Sequence, residues 1–363
     1  MSGKSDKTTP IVSILTPSFN HEKYVGFFID SLLAQTNPNW ELIIVDDCSR
    51  DNNIAEIKKY SDPRIKLIQH DYNKGINAAI NTAFEASKGQ YLSLCASDDA
   101  LDKNYVEDVI NTMSIKEDIG VIYYSLQAID SDSKTINNKF LTSICTNKYD
   151  ALKHCFYKYN CFVSPGMSIR RKVFQKIYPL NLALSQHQDY KMHIDLSMCS
   201  EIYVSEKHLV KYRIPTRKSG ISFVNSRTIK QWQLEENLVM DSFLQINDIK
   251  TLDKIFGEDV KLYGKITKDI IPYVLGMLAL NSSNEYKKIW GYNQISKFLS
   301  SKQNYDKVNK LFGFCYKDFL NLVNNFDESM FRKKYKKYKK VSKILGIINV
   351  ILLFLLVYFY LNM

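Results

Sequence analysis

Short apolar runs alternate with amphipathic ones through the first third of the chain. Ile11–Thr16 (IVSILT), Glu41–Val45 (ELIIV) and Tyr91–Cys95 (YLSLC) are near-continuous apolar stretches of strand length. Strands covered on both faces read this way. Ile65–His70 (IKLIQH) alternates and belongs nearer a sheet edge. Tyr24–Ala34, Ile54–Tyr60, Gly75–Ser87 and Tyr105–Met113 carry apolar residues at helical spacing, and Val121–Ser125 resumes the strand series. The pattern predicts an α/β fold: a mostly parallel sheet with helices on both faces. Further on, Asp130–Asn147 is polar and loop-like. Met167–Arg170 and Ile202–Ile214 are strand-like, and Asp189–Cys199 is helical. After a polar join at Thr216–Ser226, the text from Thr228 to about Asn325 is mainly helical, without strand alternation.

The C-terminus has a different pattern. Ile344–Leu361 (ILGIINVILLFLLVYFYL) carries no charge, and as a helix its length approaches the hydrocarbon thickness of a bilayer. It predicts a terminal membrane-anchoring helix at 344–361. The basic tract before it, 332–343, would lie on the cytoplasmic face of the plasma membrane by the positive-inside rule. A buried core helix is the other reading of that apolar segment. The same tract explains the charge. The net charge is +11, and RKKYKKYKKVSK holds eight of those positive charges. The remainder is close to neutral, so the basic character is local and no nucleic acid partner is expected. The start, 1–10, is polar and lacks the apolar core of a signal peptide. Seven cysteines without a CxxC pair fit reduced thiols in a cytosolic compartment, not a metal-thiolate site or a disulfide framework.

Three predicted strands end in polar residues: Pro17-Ser18-Phe19-Asn20, Asp46-Asp47-Cys48-Ser49 and Ser97-Asp98-Asp99. In a parallel sheet such ends share one edge and converge on one cleft. Each end alone also reads as a turn or a helix cap. Two adjacent carboxylates repel unless a cation is present, and a divalent ion holding a phosphate is the usual solution.

The segments VSILTPSFN, WELIIVDDCSRD, NKGINAAINTAFEASKGQYLSLCASDD and SPGMSIRRKVF resemble, in order and spacing, the family-two glycosyltransferases with the GT-A fold. The likeness runs over about Val12–Ser222. It implies a glycosyltransferase domain at 11–222, followed by a helical region at 223–331. It further implies an inverting transfer from a nucleotide diphosphate sugar, with UDP favoured, to a glycan or polyprenyl-linked acceptor at the membrane, in bacterial surface polysaccharide synthesis. By this resemblance Asp47 contacts the nucleobase, and Pro17 and Asn20 line the same pocket. Asn73 and Gly75 lie near the donor, with Asp46 structural. Asp98 meets the ribose or, with Asp99, holds Mg²⁺ or Mn²⁺. Arg213 or Arg217 faces the leaving diphosphate. Asp189 is the implied general base, and the loop Ser164–Ser168 meets donor sugar and acceptor.

Two positions depart from the family pattern. Ala96 stands where the metal motif usually begins with Asp, and Gln188 replaces a Glu. They keep open a second reading, a degenerate member that binds nucleotide sugar or a partner without transfer. Gln231-Trp232 does not match the QxxRW pattern of processive members. A nucleotidyltransferase on a related sheet lacks its Gly-rich basic loop here.

Overall fold

The computed structural model describes residues 11–214 and 225–326. Nine strands are found among them: β1 (Val12–Ser18), β2 (Trp40–Asp46), β3 (Ile65–Gln69), β4 (Tyr91–Leu94), β5 (Ala100–Leu101), β6 (Ile119–Ile129), β7 (Thr135–Leu141), β8 (Met167–Arg170) and β9 (Glu201–Arg213). They form one sheet in the order β3-β2-β1-β4-β8-β6-β9-β5, with β7 on β6. β3, β2, β1 and β4 run parallel. β8 is antiparallel to both β4 and β6, while β6 and β9 are parallel. The predicted parallel sheet therefore describes one half, and strand directions mix beyond β4.

The period of two in each strand divides the core. Val12, Ile14, Leu42 and Ile44 pack with Val25, Phe28, Ile29 and Leu32 of the helix Val25–Leu33, and with Tyr105 and Val109 of the helix Tyr105–Ile115. Leu15, Ile43 and Val45 face the other way, onto Ala79, Ile80 and Ala83 of the helix Ile76–Ala86. β3 lies at the sheet edge and is only half covered, as its alternation predicts.

That second face continues into the helical region. Phe156, on the helix Lys148–Tyr157, meets Phe243, Phe256 and Trp290 edge-to-face at centroid distances of 4.9, 4.8 and 6.3 Å. The helices Ile271–Ala279 and Glu285–Leu299 touch through glycines. A Cβ on Gly291 would stand 2.6 Å from the Gly276 carbonyl oxygen. Only glycine permits that approach.

Three expectations need correction. The polar stretch Asp130–Asn147 contains β7, because its backbone finds an edge partner in β6 across a turn in which the Asp130 and Lys134 main chains hydrogen-bond. Its polar residues suit an edge strand. The helix Lys148–Tyr157 is absent from the sequence reading, its four buried positions being embedded in polar text. The terminal anchor on the cytoplasmic membrane face is not supported. Among the described residues no helix is long and apolar enough to cross a membrane. The segments 332–343 and 344–361 on which that expectation fell lie outside the described residues, as does 215–224 with Arg217.

Candidate active site

The ends of β1, β2 and β4 meet through Ser18. Its main-chain oxygen accepts the Asp47 N–H at 2.9 Å. Its hydroxyl accepts from Asn53 Nδ2 and from Ser97 Oγ, each at 2.8 Å. Pro17 is tolerated inside a central strand for a local reason. β4 has its last paired residue opposite Leu15, so the ring faces a gap and no ladder bond is lost. Asn20 adopts a left-handed backbone, φ 56°, and ties the β1 end to the β2 end. Its side-chain oxygen accepts from Arg50 N–H, and its own N–H donates to Ser49 Oγ.

Asp46 and Asp47 divide their work. Asp46 is fully buried, and its carboxylate accepts from Asn53 Nδ2 and Ser49 N–H, which caps the turn after β2. Asp47 reaches across to the segment Asn73–Gly75. Its two oxygens accept the N–H groups of Lys74 and Gly75 at 2.8 Å each, and His70 Nδ1 lies 2.7 Å away. The Asn73 amide donates to the Asp47 carbonyl. Gly75 has φ +89°, a conformation that opens the helix Ile76–Ala86 and that side chains resist. A carboxylate offers about four acceptor sites, so Asp47 retains capacity for one further donor.

After β4 the chain turns so that Asp98 is half-exposed and Asp99 is 2 % exposed. Asp99 accepts the Arg213 N–H at 2.9 Å. Burial, with the adjacent Asp98 charge, holds the Asp99 carboxyl well above the usual carboxylate range. The Arg213 guanidinium does not bond to either carboxylate. It donates to the main-chain oxygens of Asp98 and Asp130 and to Ser133 Oγ, and it stacks on Tyr24 at 4.3 Å. Among the described residues no Lys or Arg side chain bonds to the carboxylate pair, and His21 Nε2 stands 3.8 Å from Asp98. Two hard oxygen donors short of positive charge fit Mg²⁺ or Mn²⁺, which bind through one or two carboxylates plus substrate phosphates. Among the described residues no group of three or more His, Cys, Asp or Glu is placed to hold a metal.

Asp189 lies in the first turn of the helix Gln188–Cys199. Its Oδ2 accepts from Ser164 Oγ at 3.0 Å, and Oδ1 accepts the Tyr190 N–H at 2.7 Å. The Ser164 loop is fixed on the β4 end by Gly166 N–H donating to the Leu94 carbonyl. Behind Ser164 stands His193, fully buried, with Nε2 3.2 Å from Ser164 Oγ and Nδ1 3.0 Å from Asn160 Oδ1. Burial pushes the imidazole down to about 4, against a smaller opposing pull from Asp189.

Tyr212 joins the acidic groups. Burial raises its phenol to about 12, and the charges of Asp99, Asp98 and Asp189 push in the same direction. Asp189 is tied to the strand end that carries Asp98 and Asp99 through the Ser164–Gly166 loop. Asp47, Asn73 and Gly75 form their own cluster, linked to the β4 end through Ser18. His70, Ser18 and Ser164 were not singled out as supports by the sequence. Their partners lie 23 to 79 residues away, so no local pattern marks them.

The glycosyl transferase family 2 profile matches residues 13–178. The UDP-Glc:alpha-D-GlcNAc-diphosphoundecaprenol beta-1,3-glucosyltransferase WfgD of Escherichia coli is 37 % identical over 241 residues, covering 65 % of this chain and 89 % of that one. The chain belongs to glycosyltransferase family 2. A putative teichuronic acid biosynthesis glycosyltransferase, TuaG of Bacillus subtilis, is 36 % identical over 149 residues, covering 40 % of this chain and 58 % of that one. Among solved structures, S. aureus TarS 1–349 in complex with UDP superposes with a TM-score of 0.56 at 16 % identity, over 84 % of this chain and 93 % of that one. The mannosyltransferase PcManGT from Pyrobaculum calidifontis, in complex with GDP-Man and Mn²⁺, gives 0.50 at 11 %, over 90 % of this chain and 89 % of that one. These likenesses support the GT-A fold, and the family establishes this protein as a nucleotide-sugar glycosyltransferase.

Proposed function

We propose that this family-two enzyme moves a sugar, with inversion, from a UDP-sugar to a hydroxyl of a lipid-linked saccharide in bacterial surface polysaccharide synthesis. The observation that carries the reading is the hydrogen-bonded link from the end of β4, which bears Asp98 and Asp99, through the Ser164–Gly166 loop to Asp189. It sets a candidate acceptor-side base beside carboxylates suited to the diphosphate. The name of WfgD supplies the donor and acceptor classes and that of TuaG a bacterial polysaccharide, and TarS binds UDP on the same fold.

In this reading Asp47 and the Asn73–Gly75 segment it organises bind the nucleoside, with Pro17 and Asn20 on the facing wall. Asp98 and Asp99 would hold the divalent cation, and Arg213 keeps that turn in place through the Asp98 main chain. The bound cation supplies charge stabilisation to the departing diphosphate. Asp189 takes the proton of the attacking hydroxyl as its oxygen bonds to the anomeric carbon. The anomeric bond to the diphosphate breaks on the opposite face, and the nucleotide diphosphate carries away the electron pair. Ser164 holds the Asp189 carboxylate toward the acceptor.

The deciding experiment presents UDP-sugars and GlcNAc-diphospholipid acceptors with Mn²⁺ and follows product stereochemistry. A product of inverted anomeric configuration supports the proposal. Tight UDP-sugar binding without transfer or hydrolysis across the panel would favour the non-catalytic binder suggested by Ala96 and Gln188.

A further inference from the structure

The helical region reaches the residues on either side of Asp189. Glu235, on the helix Ser226–Met240, is 2 % exposed. Its Oε1 accepts from Ser185 N–H at 2.8 Å, Ser185 Oγ at 2.9 Å and Gln231 Nε2 at 2.9 Å. Its Oε2 accepts from Gln186 N–H at 2.9 Å and His187 N–H at 2.7 Å. Five donors saturate one carboxylate. Three of them are consecutive backbone groups ending two residues before Asp189. Burial opposes the charge, but these hydrogen bonds together hold the Glu235 carboxyl below its ordinary range.

The flanking residues are held from the same side. Glu236 lies 3.5 Å from His187 Nε2 and 3.5 Å from the buried Lys287 Nζ, which also donates to Tyr190 OH at 2.8 Å. Trp232 stacks parallel to the His187 ring, with centroids 6.5 Å apart. Upstream, the loop is tied to the helix Ile76–Ala86. Asn81 exchanges hydrogen bonds with the Leu180 main chain, and Asn77 donates to the Asn181 carbonyl. The segment delivering Asp189 is therefore strung between the sugar-nucleotide half and the helical region, and Glu235 is its anchor.

We propose that Glu235 is a positioning residue for Asp189, through which the helical region sets the acceptor side of the site while leaving donor binding untouched. This rests on the reading of Asp189 as base. A carboxylate that aligns a base through three backbone N–H groups affects the rate of transfer, because small displacements of a reacting group cost rate steeply.

The test compares Glu235→Gln, Glu235→Ala and Asp189→Asn in the full chain. It uses the donor and acceptor pair with the highest turnover in the panel above, and UDP with Mn²⁺ as the binding probe. The expected result is a kcat for transfer lowered about tenfold or more in Glu235→Ala, with Kd for UDP within about twofold of wild type. Glu235→Gln falls between, since its amide oxygen can still accept part of the N–H set. If Glu235→Ala fails to fold, the Gln variant carries the test. A lower Tm with unchanged kcat well below that Tm overturns the inference and leaves Glu235 a stabilising residue only. Full transfer by Asp189→Asn overturns the base reading and this inference with it. An inactive Asp189→Asn beside fully active Glu235 variants overturns this inference alone.

Discussion

The Ser164 hydroxyl donates to the Asp189 carboxylate across 3.0 Å, joining a loop fixed on the end of β4 to the first turn of a helix 25 residues later. Ser164 has one proton, and it is given to Asp189. His193, neutral because it is buried, stands against both Ser164 Oγ and Asn160 Oδ1 with a single N–H to offer. Asn160 Oδ1 also accepts the Phe162 N–H. Asp189 is thus held by the Ser164 loop on one side, while the residues just before it are held by Glu235 on the other.

Asp189→Asn keeps the shape of the carboxylate and removes its basicity. A lost general base costs about 10²- to 10⁴-fold in kcat. UDP affinity in the presence of Mn²⁺ is expected to stay at the wild-type value. Steady-state kinetics beside calorimetry checks this; wild-type turnover would remove Asp189 from the chemistry.

Ser164→Ala removes one hydrogen bond to a charged acceptor, a contribution of about 1.5–3 kcal/mol when fully realised. Transfer is expected to slow about tenfold, because part of that energy serves orientation alone. Donor KM should not move. An equal rise in donor KM with kcat intact would place Ser164 on the sugar instead.

His193 gives a pH signature in stability. Its ordinary value is 6.5, and in the folded protein it is pushed down to about 4 by burial. As pH falls, the unfolded chain binds the proton first, so this contribution is complete above about 6.5 and is lost progressively toward 4. The full loss is about 3 kcal/mol. Urea midpoints measured from pH 7 to 5 should fall less steeply in His193→Gln than in wild type. Parallel slopes for the two would contradict the assignment.

Mn²⁺ and UDP together should raise Tm more than either alone, because a ligand that binds only the folded state stabilises it by mass action. Asp98→Asn should abolish the synergy while leaving the ligand-free Tm near wild type, since Asp98 is half-exposed. Retained synergy in that variant would move the cation elsewhere.

Asp47→Asn replaces an acceptor-only carboxylate with an amide facing two backbone donors and His70. Both nucleotide affinity and the order of the 73–75 segment should fall. Hydrogen exchange of Lys74 and Gly75, with UDP titration, reads the two effects separately. Unchanged exchange would show that the segment holds its shape without Asp47.

By itself the sequence determined the nucleotide half of the sheet. β1, β2 and β4 are apolar because both faces are covered, and Met167–Arg170 carries its pattern wholly within four residues. Local periodicity is enough where each element buries its own face. The sequence also marked Asp47, Asp98 and Asp99 as candidates, since they stand at strand ends, while Asp189 became a candidate through the family resemblance alone. β7 and the helix Lys148–Tyr157 were not legible, because one is a polar edge strand defined by its partner and the other buries a minority of its positions. Only the tertiary structure decided that Arg213 turns to main-chain oxygens, that Ser164 meets Asp189, and that Glu235 gathers the residues before Asp189. Those contacts join positions 25 to 115 residues apart. Hydrogen bonds of that kind are directional and short-ranged, and no periodicity in the chain encodes which distant partner satisfies a given group.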